Sequence, residues 1–80
     1  MNNEKSVFNT NNYGKIVIKL EKYLKDNNIS KNKLATLTGL TFTSVQRYCK
    51  GKNLRVDLDI LSRMCYVLGC KLEDLIEYKK

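Results

Sequence analysis

Eighty residues leave room for one domain with a single modest core. No apolar run approaches the roughly 18 residues of a membrane span, and the polar opening MNNEKSVFNTNN has no secretory h-region. A cytoplasmic location with no membrane partner is therefore expected. With no histidine and no P-loop or dinucleotide glycine pattern, no enzyme is expected either. Cys49, Cys65 and Cys70 stand 16 and 5 positions apart, without a C-x-x-C, so the chain is expected to hold no metal and no cofactor. In a reducing compartment these thiols read as small buried hydrophobes.

The net charge of +7 is unevenly spread. Asn28 to Val56 carries Lys31, Lys33, Arg47, Lys50, Lys52 and Arg55 with no acid, while the preceding part holds +2 and the following part −1. Solubility alone explains a basic chain but not an acid-free centre. Such a centre is expected where a surface must approach a polyanion.

Residues 1–13 include five asparagines and no apolar period, and are expected to form a flexible tail ahead of a domain at 14–80. Ile16, Leu20, Tyr23 and Leu24 fall on one helical face. The β-branched run Ile16-Val17-Ile18 leaves room for a short strand before that helix. Three helix starts then share one pattern: Ile29-Ser30 before Leu34, Leu40-Thr41 before Val45, and Val56-Asp57 before Leu61. Each offers a side-chain oxygen at the N-cap and an apolar pair that can staple across it. Helices are predicted from Lys31 to Thr38, from Phe42 to about Lys50, and from Leu58 to about Leu68, each stopped by a glycine. The last of these is expected to turn Leu58, Leu61, Cys65 and Leu68 inward, and a fifth helix is predicted from Leu72 to Tyr78. The expected fold is a compact all-α, five-helix domain.

The first two of these capped helices are joined only by Gly39-Leu40-Thr41, so they must cross steeply with their backbones close. Ala35 supplies the small contact residue, Gly39 the turn, and Val45 the plug, which is the helix-turn-helix spacing. Val45, Tyr48 and Cys49 share one face of the second helix and should point to the core. Phe42, Thr43, Gln46, Arg47 and Lys50 share the opposite one. Gln and Arg can make bidentate contacts to base edges, and Thr43 can bond a base or a phosphate. Phe42 could pack on a thymine methyl or fold back onto Leu40 or the first helix. Ser30, Lys31 and Lys33, together with Lys52, Asn53 and Arg55, flank this face and suit phosphate contact. Taken singly, each lysine is more simply a solvated surface residue.

The segments SKNKLATLTGLTFTSVQRYCKGK, DLDILSRMCYVLGC and KLEDLIEY resemble the helix-turn-helix domain of the Cro and lambda-repressor superfamily, the XRE-like regulators, over residues 20–78. Cys65, Cys70 and the ending Asp74 to Tyr78 are similar to a subgroup of very small regulators common in Gram-positive bacteria and their mobile elements. The resemblance implies a lambda-repressor-like fold that binds double-stranded DNA through a recognition helix, Thr41 to Lys50, in the major groove. It implies base contacts from Phe42, Thr43, Gln46 and Arg47. Backbone contacts are expected from Ser30, Lys31, Lys33, Thr41, Ser44, Lys50, Lys52, Asn53 and Arg55. The family usually begins its second helix with a glutamine that touches phosphate and braces the recognition helix. Lys31 stands there instead, which keeps the phosphate contact and leaves open whether the brace is made. The proline that often precedes the fourth helix is also missing.

A transcriptional regulator, in the first place a repressor, is thus the expected function. The alternative is an antitoxin or a partner-controlled co-regulator that acts through a protein partner. RNA binding would call for exposed stacking aromatics, whereas Tyr23, Tyr48 and Tyr78 sit at apolar-periodic positions. A homodimer is expected on DNA, with Leu72, Leu75, Ile76 and Tyr78 as its candidate interface.

Overall fold

Four α-helices and a two-stranded sheet make up the regular structure of the computed structural model, which describes residues 5–10, 12–52 and 55–80. In chain order these are β1 (Lys15–Ile18), α1 (Leu20–Asp26), α2 (Lys31–Thr38), α3 (Phe42–Lys50), α4 (Leu58–Leu68) and β2 (Ile76–Lys79). Single 3-10 turns lie at Val7–Asn9 and Leu72–Asp74. No helix among the described residues is long and apolar enough to cross a membrane.

Side-chain caps fix where α2, α3 and α4 begin. Ser30 Oγ accepts the Lys33 N–H at 3.0 Å, and Thr41 Oγ1 accepts that of Ser44 at 3.1 Å. Asp57 Oδ1 accepts the Asp59 N–H at 2.8 Å and that of Ile60 at 3.4 Å. Each satisfies a donor that a helix start leaves without a partner. Helix α2 ends at Gly39, whose φ of 75° reverses the chain without a Cβ penalty. Helix α4 closes with paired bonds, Gly69 N–H to the Tyr66 carbonyl and Cys70 N–H to that of Cys65. This Schellman geometry sets Cys65 and Cys70 side by side, both half-buried against the core. The three cysteines are free thiols.

The predicted fifth helix is not formed, so the fold is not all-α. After the turn Leu72–Asp74 the chain runs as β2, antiparallel to β1 with Ile16 opposite Tyr78 and Ile18 opposite Ile76. The Lys19 N–H extends the pairing to the Leu75 carbonyl at 2.7 Å. The spacing of Leu72, Leu75 and Ile76 suits a helix, but so short a run cannot separate helix from strand. What decides is the β-branched partner Ile16-Val17-Ile18, which offers a ladder to the C-terminus. The short strand that this run left room for is therefore real, and α1 starts only at Leu20. Gly14 makes the approach to the sheet possible. A Cβ there would lie 2.6 Å from Tyr78 Oη and 2.7 Å from the Lys79 carbonyl. The same Tyr78 hydroxyl donates to the Tyr13 carbonyl at 2.6 Å.

The core is assembled from the four helices and the residue just before β2. It comprises Leu20 and Leu24 of α1, Leu34 and Ala35 of α2, Val45, Tyr48 and Cys49 of α3, Leu61 and Met64 of α4, and Leu75. Leu58 does not point inward as expected. It opens α4 on the solvent side, 75% exposed, and Met64 takes the buried place one turn after Leu61. Tyr78 is likewise on the surface rather than at an apolar-facing position.

Two polar links tie α4 to the helix pair. Arg63 Nη1 donates to the Thr38 carbonyl at 3.2 Å, placing a cation at the C-terminal end of α2, where the helix dipole favours it. The buried Tyr48 hydroxyl accepts the Asp57 N–H at 2.8 Å, which fastens the start of α4 to α3. Tyr48→Phe leaves that N–H without its partner in a part-buried site. It should lower the unfolding free energy by about 1–3 kcal/mol. Tyr78→Phe removes a bond at an exposed ring and should cost less, below about 1 kcal/mol. Urea unfolding of both variants checks the order; equal losses would show that the Tyr48 hydroxyl does not anchor α4.

Candidate nucleic-acid interface

Helix α3 owes its two faces to its sequence. Val45, Tyr48 and Cys49 at i, i+3 and i+4 are buried, Val45 completely, as their spacing predicts. Opposite them, Thr43, Arg47 and Lys50 are exposed and Gln46 is half-buried. Phe42, the first residue of the helix, is 47% exposed. The connection from Gly39 to Thr41 and the burial of Leu34, Ala35 and Val45 show the close contact of α2 and α3 that the Ala-Gly-Val spacing anticipated.

The hydroxyls at the two helix starts are partly engaged. Ser30 Oγ accepts a backbone N–H, and its own hydrogen is left to donate outward. Thr41 accepts the Ser44 N–H and donates its hydroxyl hydrogen to Ser44 Oγ at 3.1 Å. Its hydrogen is spent on Ser44, whose own O–H can still reach an acceptor such as a phosphate oxygen. The helix starts at Lys31 and Phe42 also present backbone N–H groups.

Lys31 settles the open question of the brace. Its ammonium donates to Gln46 Oε1 at 2.7 Å, fifteen residues along the chain, so α2 and α3 are braced after all, by a lysine. Glu21 of α1 lies 3.9 Å from the same Nζ and brings an acid to the edge of a segment that has none of its own. No periodicity or spacing pointed to Glu21, because α1 reaches this place only through tertiary packing. Burial pushes the Cys49 thiol up from its ordinary value, Lys31 opposes that shift and Glu21 adds to it, so all three groups share one neighbourhood. Burial also raises the Cys70 thiol to about 11, with Cys65 adding to the effect.

Lys33, Arg47, Lys50, Lys52 and Arg55 are exposed and make no ion pair among the described residues. Lys33 sits in the first turn of α2. Lys50 ends α3, and Lys52 follows Gly51. Asn53, expected to touch phosphate, lies outside the described residues. No group of three or more metal-ligating side chains occurs among the described residues.

The chain thus offers a helix with a buried and a cationic face, presented by a second helix across a three-residue turn. No curated protein matches the sequence. Residues 19–80, well over half of the chain, match the family of the Cro/C1-type HTH DNA-binding domain, and the chain belongs to that family of XRE-like helix-turn-helix proteins.

Proposed function

We propose that the protein is a sequence-specific transcriptional regulator, chiefly a repressor, that lays α3 in the major groove of double-stranded DNA. The observation that carries this reading is the exposed Thr43–Arg47–Lys50 side of a helix whose other side is locked into the core. Phe42, Thr43, Gln46 and Arg47 are assigned to base edges. Ser30, Lys31, Lys33, Thr41, Ser44, Lys50, Lys52, Asn53 and Arg55 are assigned to the backbone, which positions the helix without reading sequence. Bound at an operator that overlaps a promoter, such a protein represses by occupancy, with no catalytic activity. The proposed place of action is the cytoplasm, with residues 1–13 as an arm beside a domain at 14–80.

A protein partner, in the manner of an antitoxin or a co-regulator, is the second reading. Leu58 and Tyr66, with Ser62 between them at helical spacing, are 75% and 88% exposed on α4.

Binding should be strongly electrostatic. With roughly 6 phosphate contacts, the logarithm of the binding constant should fall against the logarithm of salt with a slope near −5. Affinity that stays flat from low to physiological salt would sink the DNA assignment.

Reading and holding should separate by mutation. Arg47→Ala should relax sequence preference and cost about 1–3 kcal/mol on the best site. Lys52→Ala should weaken all sequences alike and reduce the salt slope by about 1. A random-duplex selection compares them; an unchanged preference in Arg47→Ala would place the recognition face elsewhere.

A single recognition helix covers only a few base pairs, so we propose that two copies act together on half-sites about 34 Å apart. The candidate interface narrows, because Leu75 is buried in its own core, while Leu72 and Tyr78 are exposed, Tyr78 opposite Ile16 of β1. Footprinting on a selected site should show two protected half-sites filled cooperatively. Protection of one half-site alone, with a monomer in sedimentation, would refute pairing.

A further inference from the structure

We propose that Lys31 sets the polarity with which Gln46 reads DNA, so that the recognition helix selects guanine over adenine at the base pair Gln46 meets. This rests on the assignment of α3 to the major groove. A free glutamine is ambidextrous. Its amide can turn either way, and its best-known contact, to adenine, uses the oxygen to accept from N6–H and the nitrogen to donate to N7. Gln46 is not free in that sense. The ammonium of Lys31 lies 2.7 Å from it, and an ammonium only donates, so the atom facing Lys31 has to be the amide oxygen. The amide NH₂ then occupies the other corner of the planar group.

Lys31 is itself held in place. It is the first residue of α2, its side chain is only 28% exposed, and the Glu21 carboxylate stands 3.9 Å from Nζ. The brace therefore spans three helices, with Gln46 at its outer end. Two consequences follow for a base edge brought to Gln46. An adenine N6 amino group directed at Oε1 would arrive beside the ammonium, donor against donor. Guanine presents O6 and N7, both acceptors, to the amide hydrogens and adds favourable charge toward Lys31. Lys31 is thus a positioning residue for specificity in addition to any phosphate contact it makes.

The test is a random-duplex selection with the wild-type protein, Gln46→Ala, Lys31→Met and Lys31→Arg, run at reduced salt so that loss of one charge does not abolish binding. The base pair whose preference disappears in Gln46→Ala identifies where Gln46 reads. There the wild type should enrich guanine over adenine. Lys31→Met, which keeps the bulk of the stem but donates nothing, should shift the guanine-to-adenine ratio at that pair by roughly tenfold toward adenine and leave other positions unchanged. Lys31→Arg, still a donor, should keep the wild-type ratio. Where a variant yields too little enrichment, direct competition between the guanine and adenine versions of the wild-type site gives the same ratio. A wild-type preference for adenine at that pair, or an unchanged ratio in Lys31→Met, would overturn the inference while leaving the DNA-reading assignment intact. Wild-type protein that selects no sequence at all would instead overturn that assignment, and the inference with it.

Discussion

The three-residue connection between α2 and α3 is the constraint on which the rest of this molecule depends. Two helices joined so tightly cannot lie side by side, and their backbones must meet near the turn. Such a meeting is stable only where the contact is small and dry. Ala35 provides the small surface, and Leu34 and Val45, both completely buried, exclude water from the angle. Thr41 spends its hydroxyl on capping α3 in the same stretch, so the direction of α3 is fixed where it begins. This wedge holds the buried side of α3 against the core and leaves its other side outward.

The remaining elements hold the wedge from behind. Arg63 of α4 reaches the last carbonyl of α2, and Tyr48 of α3 reaches the first turn of α4. These two bonds link neighbouring helices through their ends, where backbone groups lack intrahelical partners. The β1–β2 pair closes the opposite side, with Leu75 filling the core and Gly14 allowing the close packing against Tyr78. A cationic face could thus be built without placing unpaired charge in the interior. The one lysine that is drawn partly inward, Lys31, is met by Gln46 and Glu21.

Much of this was legible because the signals are local. An N-cap oxygen, an apolar residue on either side of it and a terminal glycine act within one turn of helix. Ser30, Thr41 and Asp57, with Gly39, Gly51 and Gly69, accordingly marked the bounds of α2, α3 and α4. The buried side of α3 followed from periodicity alone. The exposed side chains assigned to DNA were also identifiable, since an acid-free run of cations needs no structure to be noticed.

What the sequence determined by itself, then, is the helix-turn-helix pair and its polarity of charge, because caps, turns and periodicity are properties of neighbouring residues. The tertiary structure alone decided the rest. Leu72 to Tyr78 carries a pattern compatible with helix or strand, and its state depends on whether a partner strand sixty residues away can pair with it. Leu58 has the spacing of a core residue, but its place at the first turn of α4 turns it to solvent. Lys31 and Gln46 meet because two helices cross, and Glu21 joins them because a third packs alongside. Contacts between distant segments leave no periodic trace in either one, since each segment's pattern records only that it has a buried side and not what lies against it.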